Sequence, residues 1–174
     1  MGIDKNLVFI PCKIAVLTVS DTRNDDDDTS GDILKKFIIE TGHIFKGKKI
    51  IKDNLSEIIT ELKNLINNTS VDIILTTGGT GVTSRDVTPE AYEKVCEKII
   101  PGFGELFRYL SFKTIGTSTI QSRAIAGVAQ GKYLFALPGS PNACKDGWNF
   151  ILKDQLDSRH KPCNFVELFD RLKK

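Results

Sequence analysis

The stretch VDIILTTGGTGVTSRDVTPEA, residues 71–91, decides the fold of this chain. Its first part, VDIILTT (71–77), is short, apolar and rich in β-branched residues, which is typical of a strand covered on both faces. A glycine-rich turn follows. Thr88-Pro89-Glu90 then has the features of a helix start, with Thr88 as the N-cap and Pro89 at the first helical position. A buried strand, a tight turn and a helix in this order are typical of a parallel α/β sheet.

The rest of the chain repeats this alternation of strand and helix. Short apolar runs predict further strands at 13–20, 43–53 and 132–139, the second of them more exposed. Helical patterns predict helices at 29–41, 55–66, 89–98, 103–110, 119–129 and 142–156. The alternation predicts a parallel sheet with helices on both faces. Because no repeat or long linker interrupts it, we expect a single domain over residues 1–174.

Composition narrows the class of protein. Of the 174 residues, 40% are hydrophobic and 26% charged, and the net charge is only +2, so there is no electrostatic case for nucleic acid or a membrane as partner. No apolar run reaches the length that spans a bilayer. The four cysteines lack a C-x-x-C pair and the two histidines are far apart, which indicates neither a zinc site nor a disulfide framework. These features predict a cytoplasmic protein with free thiols.

The glycine turn is a candidate phosphate-binding loop. Gly78, Gly79 and Gly81 let backbone N–H groups approach a ligand closely, and a helix N-terminus behind them favours an anion. The loop nevertheless lacks the lysine of the common phosphate loop, and Ser84 stands where a dinucleotide fingerprint needs its third glycine. A tight strand-to-helix turn that requires positive φ explains the same glycines. Both interpretations stay open at this point.

Two aspartates flank the predicted edge of the sheet. Asp86 lies just before the helix start and Asp53 ends the strand at 43–53, and each is either a solvated turn residue or part of a metal site. If the two carboxylates lay about 5 Å apart, their repulsion would be about 3 kcal/mol at an effective dielectric constant of 20, and a divalent cation would relieve it. Mg²⁺ is typically bound by one or two carboxylates plus substrate phosphates. The pair therefore suggests a metal–nucleotide site without a lysine.

Small and polar residues also end the other predicted strands. Ser20 and Asp21 follow the first strand, and Pro138 to Ser140 follow the last. In an open α/β sheet, ligands bind beyond the carboxyl ends of the strands, so these residues are candidates to line a pocket. Ser140 also has the position of an N-cap for the helix that starts at Pro141, with or without a role in anion binding.

Two further segments allow more than one interpretation. Arg123 lies in the hydroxyl-rich segment TIGTSTIQSRA (114–124), where it could meet a phosphate or form a structural ion pair. The run DDDDTSGD (25–32) has the composition of a metal site. We favour helix capping by Asp28 or Thr29, because acidic residues stabilise a helix N-terminus.

Several long motifs, in order along nearly the whole chain, carry a resemblance to a known family. They are AVLTVSD, DDTSGDIL, TTGGTGVTSRDVTPEA, GFGELFRYLSF, IGTSTIQSRAIAG, LPGSPNACKDGW and QLDSRHKPCNF. With these motifs the chain resembles the MoaB/MogA family of molybdenum cofactor biosynthesis proteins. DDTSG, FGELFRYLSF, GTSTIQSRA and RHKPCNF are most similar to the MoaB branch.

The resemblance implies a fold and a function. It implies a three-layer α/β/α fold with a mostly parallel sheet, assembled as a homotrimer or homohexamer. It also implies binding of molybdopterin, a pterin dithiolene with a phosphate, and transfer of AMP from ATP and Mg²⁺ to that phosphate with release of pyrophosphate. A downstream protein that inserts molybdenum is an implied partner. The alternative is a non-catalytic molybdopterin-binding or scaffold protein of the same pathway, since one fold can host different functions.

The resemblance also assigns roles to residues. It implies that Asp53 and Asp86 are the catalytic pair and hold Mg²⁺. It implies contacts with molybdopterin or ATP at Ser20, Asp21, Thr77, Gly78, Gly79, Thr80, Gly81, Ser111, Ser118, Arg123, Pro138, Gly139 and Ser140.

Overall fold

The structure, a computed structural model, describes residues 2–172. The strands are β1 (Gly2–Ile3), β2 (Lys13–Val19), β3 (Ile44–Ile51), β4 (Ile73–Thr77), β5 (Lys98–Ile99), β6 (Ile125–Ala129), β7 (Lys132–Leu137) and β8 (His160–Lys161). The α-helices are α1 (Thr29–Glu40), α2 (Leu55–Asn67), α3 (Thr88–Val95), α4 (Pro101–Ile115), α5 (Pro141–Gly147), α6 (Lys153–Gln155) and α7 (Phe169–Leu172). Short 3₁₀ helices cover Gly116–Gln121 and Val166–Leu168, and a π-helical segment, Trp148–Leu152, joins α5 to α6. Within these residues no helix has the length and apolarity needed to cross a membrane.

Six strands form one twisted sheet in the order β3-β2-β4-β7-β6-β5. β2 pairs in parallel with β3 and β4, and β4 pairs in parallel with β7. β6 and β5 extend the sheet with antiparallel pairing, and β1 and β8 form a separate two-stranded ribbon. The predicted fold class, a three-layer α/β/α arrangement with a mostly parallel sheet, is confirmed. The carboxyl ends of β2, β3, β4 and β7 consequently lie along the same edge of the sheet.

Strand β2 shows how the sequence fills both faces of the sheet. Side chains alternate along a strand, so Ile14 and Val16 point to one face and pack in the same cluster as Leu34 of α1. Leu17 points to the other face and packs in the same cluster as Ile58 of α2. All five side chains are almost completely buried. A strand covered on both sides needs a continuous apolar run, which is the pattern that the sequence has there.

The run of four aspartates starts helix α1. Asp28 is fully buried, and its carboxylate accepts hydrogen bonds from the Gly31 N–H at 3.0 Å and from the Thr18 hydroxyl at 2.7 Å. Lys48 of β3 approaches the same carboxylate at 3.2 Å. Asp28 is thus the N-cap of α1, and the predicted capping role of this run is confirmed.

The helix predicted at 119–129 is wrong. This stretch forms the end of the 3₁₀ helix Gly116–Gln121 and then strand β6, which pairs with β7. A Cβ atom on Gly127 would lie 2.5 Å from the Cys96 sulfur, so β6 packs closely against the end of α3. Pairing with β7 and this close approach override the helical spacing of the local sequence, as tertiary context commonly does for short segments.

Candidate functional site

A cavity of about 730 Å³ opens beyond the carboxyl ends of β2, β4 and β7. It has the volume and position typical of a small-molecule site in an open α/β sheet. The structure brings nearly all of the sequence-predicted site residues together in its lining: Ser20, Asp21, Asp53, Thr77, Gly78, Gly79, Thr80, Gly81, Asp86, Ser111, Ser118, Pro138, Gly139 and Ser140. Of the predicted residues, only Arg123 lies outside this lining.

The glycine turn forms the floor of the cavity, and its glycines are required by the geometry. Gly78 and Gly79 have φ values of +101° and +64°, which favour glycine. A Cβ atom on Gly78 would lie 2.1 Å from the carbonyl oxygen of Val19, and one on Gly79 would lie 2.8 Å from the Asp53 carboxylate. The tight-turn interpretation is therefore confirmed for these two glycines. Because glycines carry no side chain, a ligand can approach the backbone of the turn closely.

The backbone N–H groups of this turn do not all face the cavity. The Gly78 N–H donates to the Leu137 carbonyl at 3.0 Å, which ties the turn to β7. The Gly81 N–H is directed to the carboxylate of Asp86. Gly79 and Thr80, in the middle of the turn, are then the remaining positions whose N–H groups could meet an anion.

Helix α3 holds the turn in place through Thr88. The Thr88 hydroxyl donates to the Gly78 carbonyl at 2.9 Å, and the Thr88 N–H donates to the Gly79 carbonyl at 2.9 Å. The prediction that Thr88 caps α3 is wrong, because Val87 occupies the N-cap position and the Thr88 side chain is buried against the turn. Its hydroxyl stabilises the site and not the helix end.

Arg123 braces the turn from outside the cavity. Its Nε donates to the Gly81 carbonyl at 2.6 Å, and its other nitrogens donate to the Asp86 carbonyl and to the Glu90 carboxylate. Of the two interpretations that the sequence left open, the structural ion pair is the one that the geometry supports. An arginine bonded to these three acceptor groups positions the loop that carries Asp86.

The two aspartates have different electrostatic environments. Asp53 is half-buried, and its burial, together with the nearby charges of Asp86 and Asp21, raises its pKa above the ordinary value, although the Val87 N–H donates to it at 3.2 Å. Burial also tends to raise the pKa of Asp86, but hydrogen bonds from the Thr83 hydroxyl at 2.6 Å and the Thr83 N–H at 2.9 Å, with the Gly81 N–H, lower it overall. Asp53 is therefore the less satisfied carboxylate and the better candidate to gain a cation.

The donor set fits Mg²⁺ only if a phosphate ligand is bound at the same time. Asp53 and Asp86 both lie against the glycine turn, but residues 2–172 contain no group of three or more His, Cys, Asp or Glu side chains arranged to hold a metal. Mg²⁺ characteristically keeps several waters and takes one or two carboxylates plus substrate phosphates. Two aspartates beside a turn with N–H groups that could meet an anion would supply that combination.

The opposite wall of the cavity comes from α4 and the 3₁₀ helix after it. Hydroxyl-bearing side chains dominate this wall, with the ring of Phe107 beneath them. The lining residues that the sequence did not indicate include Thr18, Arg23, Phe107, Thr114, Thr119, Gln121, Asn142 and Asp146. Arg23 could have been found, because it stands two positions after Asp21 on the same strand end. No local pattern in the sequence indicated that Phe107 and Thr114 of α4 would face the cavity.

Comparisons with known proteins agree with this geometry. The family model described as "Probable molybdopterin binding domain" matches residues 15–158. The chain is 48% identical over 157 residues to molybdenum cofactor biosynthesis protein B of Escherichia coli K12, covering 90% of this chain and 92% of the relative. It is 47% identical over 142 residues to the protein of the same name from Halalkalibacterium halodurans, covering 81% and 84%. The chain belongs to the MoaB/MogA family.

Solved structures of this family have the same fold. A crystal structure of molybdenum cofactor biosynthesis protein B superposes with a TM-score of 0.85 at 35% identity, covering 94% of this chain and 96% of the other. The tungsten cofactor synthesizing protein MoaB of Pyrococcus furiosus superposes with a TM-score of 0.79 at 30% identity, covering 94% and 98%. The molybdopterin-binding domain of this MoaB/MogA-family protein therefore includes the whole cavity floor.

Asp53→Asn is expected to raise the stability of the ligand-free protein at neutral pH by about 0.5–1 kcal/mol. The amide oxygen can still accept the Val87 N–H, while the repulsion from Asp86 and Asp21 disappears. Because the pKa of Asp53 is raised by folding, its carboxylate destabilises the fold above that pKa, and the penalty vanishes below the unfolded-state value. In urea unfolding, the free energy of unfolding should thus be higher for the variant than for the wild type at neutral pH, and this difference should disappear in acid. A less stable variant at neutral pH would contradict this account of Asp53.

Proposed function

We propose that this protein acts in molybdenum cofactor biosynthesis by binding molybdopterin and transferring AMP to it from ATP in the presence of Mg²⁺. A phosphate oxygen of molybdopterin attacks the α-phosphorus of ATP, the bond from that phosphorus to the bridging oxygen breaks, and pyrophosphate leaves with the bonding electrons. The observation that carries the proposal is the convergence of the glycine turn, Asp53 and Asp86 on one cavity. Backbone donors and carboxylates in one place suit a phosphate ester that arrives with a cation.

Each part of the cavity has a place in this reaction. The N–H groups of Gly79 and Thr80 would bind phosphate oxygens, and Asp53 and Asp86 would hold the cation. Mg²⁺, when bound, neutralises the charge that develops on the transferred and leaving phosphates. The protein otherwise contributes by positioning, as is usual in phosphoryl-type transfer. The hydroxyls of Ser111 and Ser118 suit the polar edges of a pterin.

The experiment that tests the proposal is a pyrophosphate-release assay with purified protein. Release should require molybdopterin, ATP and Mg²⁺ together, and omission of any one should abolish it. Release without molybdopterin would indicate a nucleotide hydrolase, which the proposal excludes. We expect the reaction to take place in the cytoplasm, where a downstream protein that inserts molybdenum would receive the adenylylated product.

One observation favours the alternative, a non-catalytic molybdopterin-binding or scaffold protein. The Asp86 carboxylate already accepts two hydrogen bonds from Thr83, so part of its capacity to bind a cation is used within the loop. Calorimetric titration with molybdopterin separates the two functions when it is combined with the release assay. Tight binding of molybdopterin with no release of pyrophosphate would support the scaffold and contradict the transferase.

We also propose that the protein assembles through the exposed face of α4. Leu106, Tyr109, Phe112 and Ile115 recur at every third position and are 43%, 63%, 54% and 55% exposed. Contiguous apolar side chains at helical spacing are typical of an interaction surface. A homotrimer or homohexamer would cover this stripe beside the cavity wall, to which Ile115 also belongs.

Phe112→Glu is expected to shift the protein to a smaller species in sedimentation velocity, because it places a charge in the proposed interface. Ile39→Glu on α1 is the matched control, since Ile39 is also 54% exposed. It should leave the sedimentation coefficient unchanged. Wild-type protein that sediments as a monomer would contradict the assembly, and an unaltered Phe112→Glu oligomer would exclude this face.

A further inference from the structure

An ion pair joins two loops at the rim of the cavity. Arg85 lies in the loop between β4 and α3. Its guanidinium forms a bidentate ion pair with the carboxylate of Asp21, which follows β2. Its Nε donates at 3.1 Å to one carboxylate oxygen, and its Nη2 donates at 2.8 Å to the other. Asp21 lines the cavity and Arg85 does not. The N–H of Asp53 also donates to the Asp21 carboxylate, at 3.2 Å.

The charges of the cavity do not suit an anionic ligand as they stand. Among the described residues in its lining, Arg23 is the only arginine or lysine, against the four carboxylates Asp21, Asp53, Asp86 and Asp146. Arg123 is committed to the glycine turn and to Glu90. A ligand with several phosphates needs more positive charge than this lining offers. Outside the lining, Lys52 and Arg108 donate to the backbone carbonyls of Asp21 and Ser122. Arg85 is instead paired with a carboxylate of the lining, that of Asp21, so it is the cation that can exchange a carboxylate for a phosphate.

The bond between Arg85 and Asp21 is easily exchanged. The two side chains are 62% and 37% exposed, and exposed ion pairs contribute little to stability. A guanidinium forms bidentate hydrogen bonds with a phosphate as it does with a carboxylate. A phosphate with two negative charges is the stronger partner. A divalent cation next to Asp53 would attract Asp21 and repel Arg85, which weakens the pair further.

We propose that Arg85 is a phosphate-binding residue that Asp21 holds outside the cavity, and that a divalent cation beside Asp53 releases it to the phosphates of the nucleotide. The inference rests on the proposed function, since it requires ATP and Mg²⁺ in this cavity. In the free protein, Asp21 keeps Arg85 off the site. In the loaded protein, Arg85 adds the positive charge that the lining lacks, and Asp21 turns to the cation.

Calorimetric titration with ATP, once with Mg²⁺ and once with EDTA, tests the exchange. Arg85→Gln should weaken binding of ATP with Mg²⁺ by roughly tenfold or more, because a two-pronged charged contact is lost. Arg85→Lys should recover only part of that loss, since lysine keeps the charge but not the geometry. Asp21→Asn should act in the opposite direction and strengthen binding of ATP in EDTA by roughly threefold or more, because Arg85 is then already released.

A double variant separates release of Arg85 from a general gain in positive potential. In the Arg85→Gln background, Asp21→Asn should increase the affinity for ATP in EDTA much less than it does in the wild type. An undiminished effect would overturn the proposal, and so would wild-type affinity in Arg85→Gln. Weaker binding of ATP in EDTA by both single variants would identify the pair as a structural contact and also overturn the proposal. Wild-type protein that binds no ATP with Mg²⁺ would overturn the proposed function as well, so the two failures are distinguishable.

Discussion

Asp53→Asn is expected to lower the rate of AMP transfer to molybdopterin by roughly 10³-fold while leaving molybdopterin affinity within about threefold of the wild type. The substitution keeps the shape of the side chain and its acceptor for the Val87 N–H, but removes the charge that attracts the cation. The variant should therefore have a lower turnover rate and should need a higher Mg²⁺ concentration for half-maximal turnover. Asp86→Asn should lower the rate to a similar extent. Quenched-flow measurement of pyrophosphate release with saturating molybdopterin provides the rate.

A matched control comes from the aspartate run before α1. Asp26 is exposed and lies outside the cavity lining, so Asp26→Asn makes the same change in charge without touching the site. Its rate should equal that of the wild type. Full activity in both Asp53→Asn and Asp86→Asn would contradict the roles assigned to the two carboxylates. Because Asp53→Asn is predicted to be more stable than the wild type, its lower rate should not come from a folding defect, and thermal unfolding checks this point.

Gly78→Ala is expected to destabilise the protein by about 3 kcal/mol or more and to abolish ligand binding. The methyl group would lie 2.1 Å from the backbone carbonyl of Val19, and neither backbone can move without breaking the pairing of β2 with β4. The positive φ of Gly78 adds strain for any residue with a Cβ atom. Denaturant unfolding measures the loss in the free energy of unfolding.

Two other glycines serve as controls for this substitution. Gly102 has open space around its Cβ position and no positive φ, so Gly102→Ala at the start of α4 should leave stability unchanged or slightly higher. Gly116 has a positive φ but also open space, so Gly116→Ala should show the strain without the collision. If Gly78→Ala were no worse than Gly116→Ala, the close approach to Val19 would not be the cause.

The main features of the site could be predicted because parallel strands bring their carboxyl ends to one edge. That rule placed Ser20, Asp53, Gly78 and Ser140 together without knowledge of any distance, and all four line one cavity. The fold followed from the same alternation of buried strands and amphipathic helices. Resemblance to the family, and not spacing, indicated Ser111 and Ser118 on the opposite wall.

Features that depend on contacts between distant segments could not be predicted. The sequence allowed Arg123 to bind either a phosphate or a structural partner. The positions of Glu90 and of the turn carbonyls favour the structural ion pair. The ion pair between Arg85 and Asp21 joins residues 64 positions apart, and no local pattern indicates it. Strand β6 was mistaken for a helix because its apolar residues suit either structure until β7 is beside it.

The most direct test of the account is transfer of label from ATP that carries ³²P in its α-phosphate. With molybdopterin, Mg²⁺ and wild-type protein, we predict that the label appears in adenylylated molybdopterin in equal amount to the pyrophosphate released. Label that stays in ATP while molybdopterin is bound would contradict AMP transfer and leave a binding protein in its place.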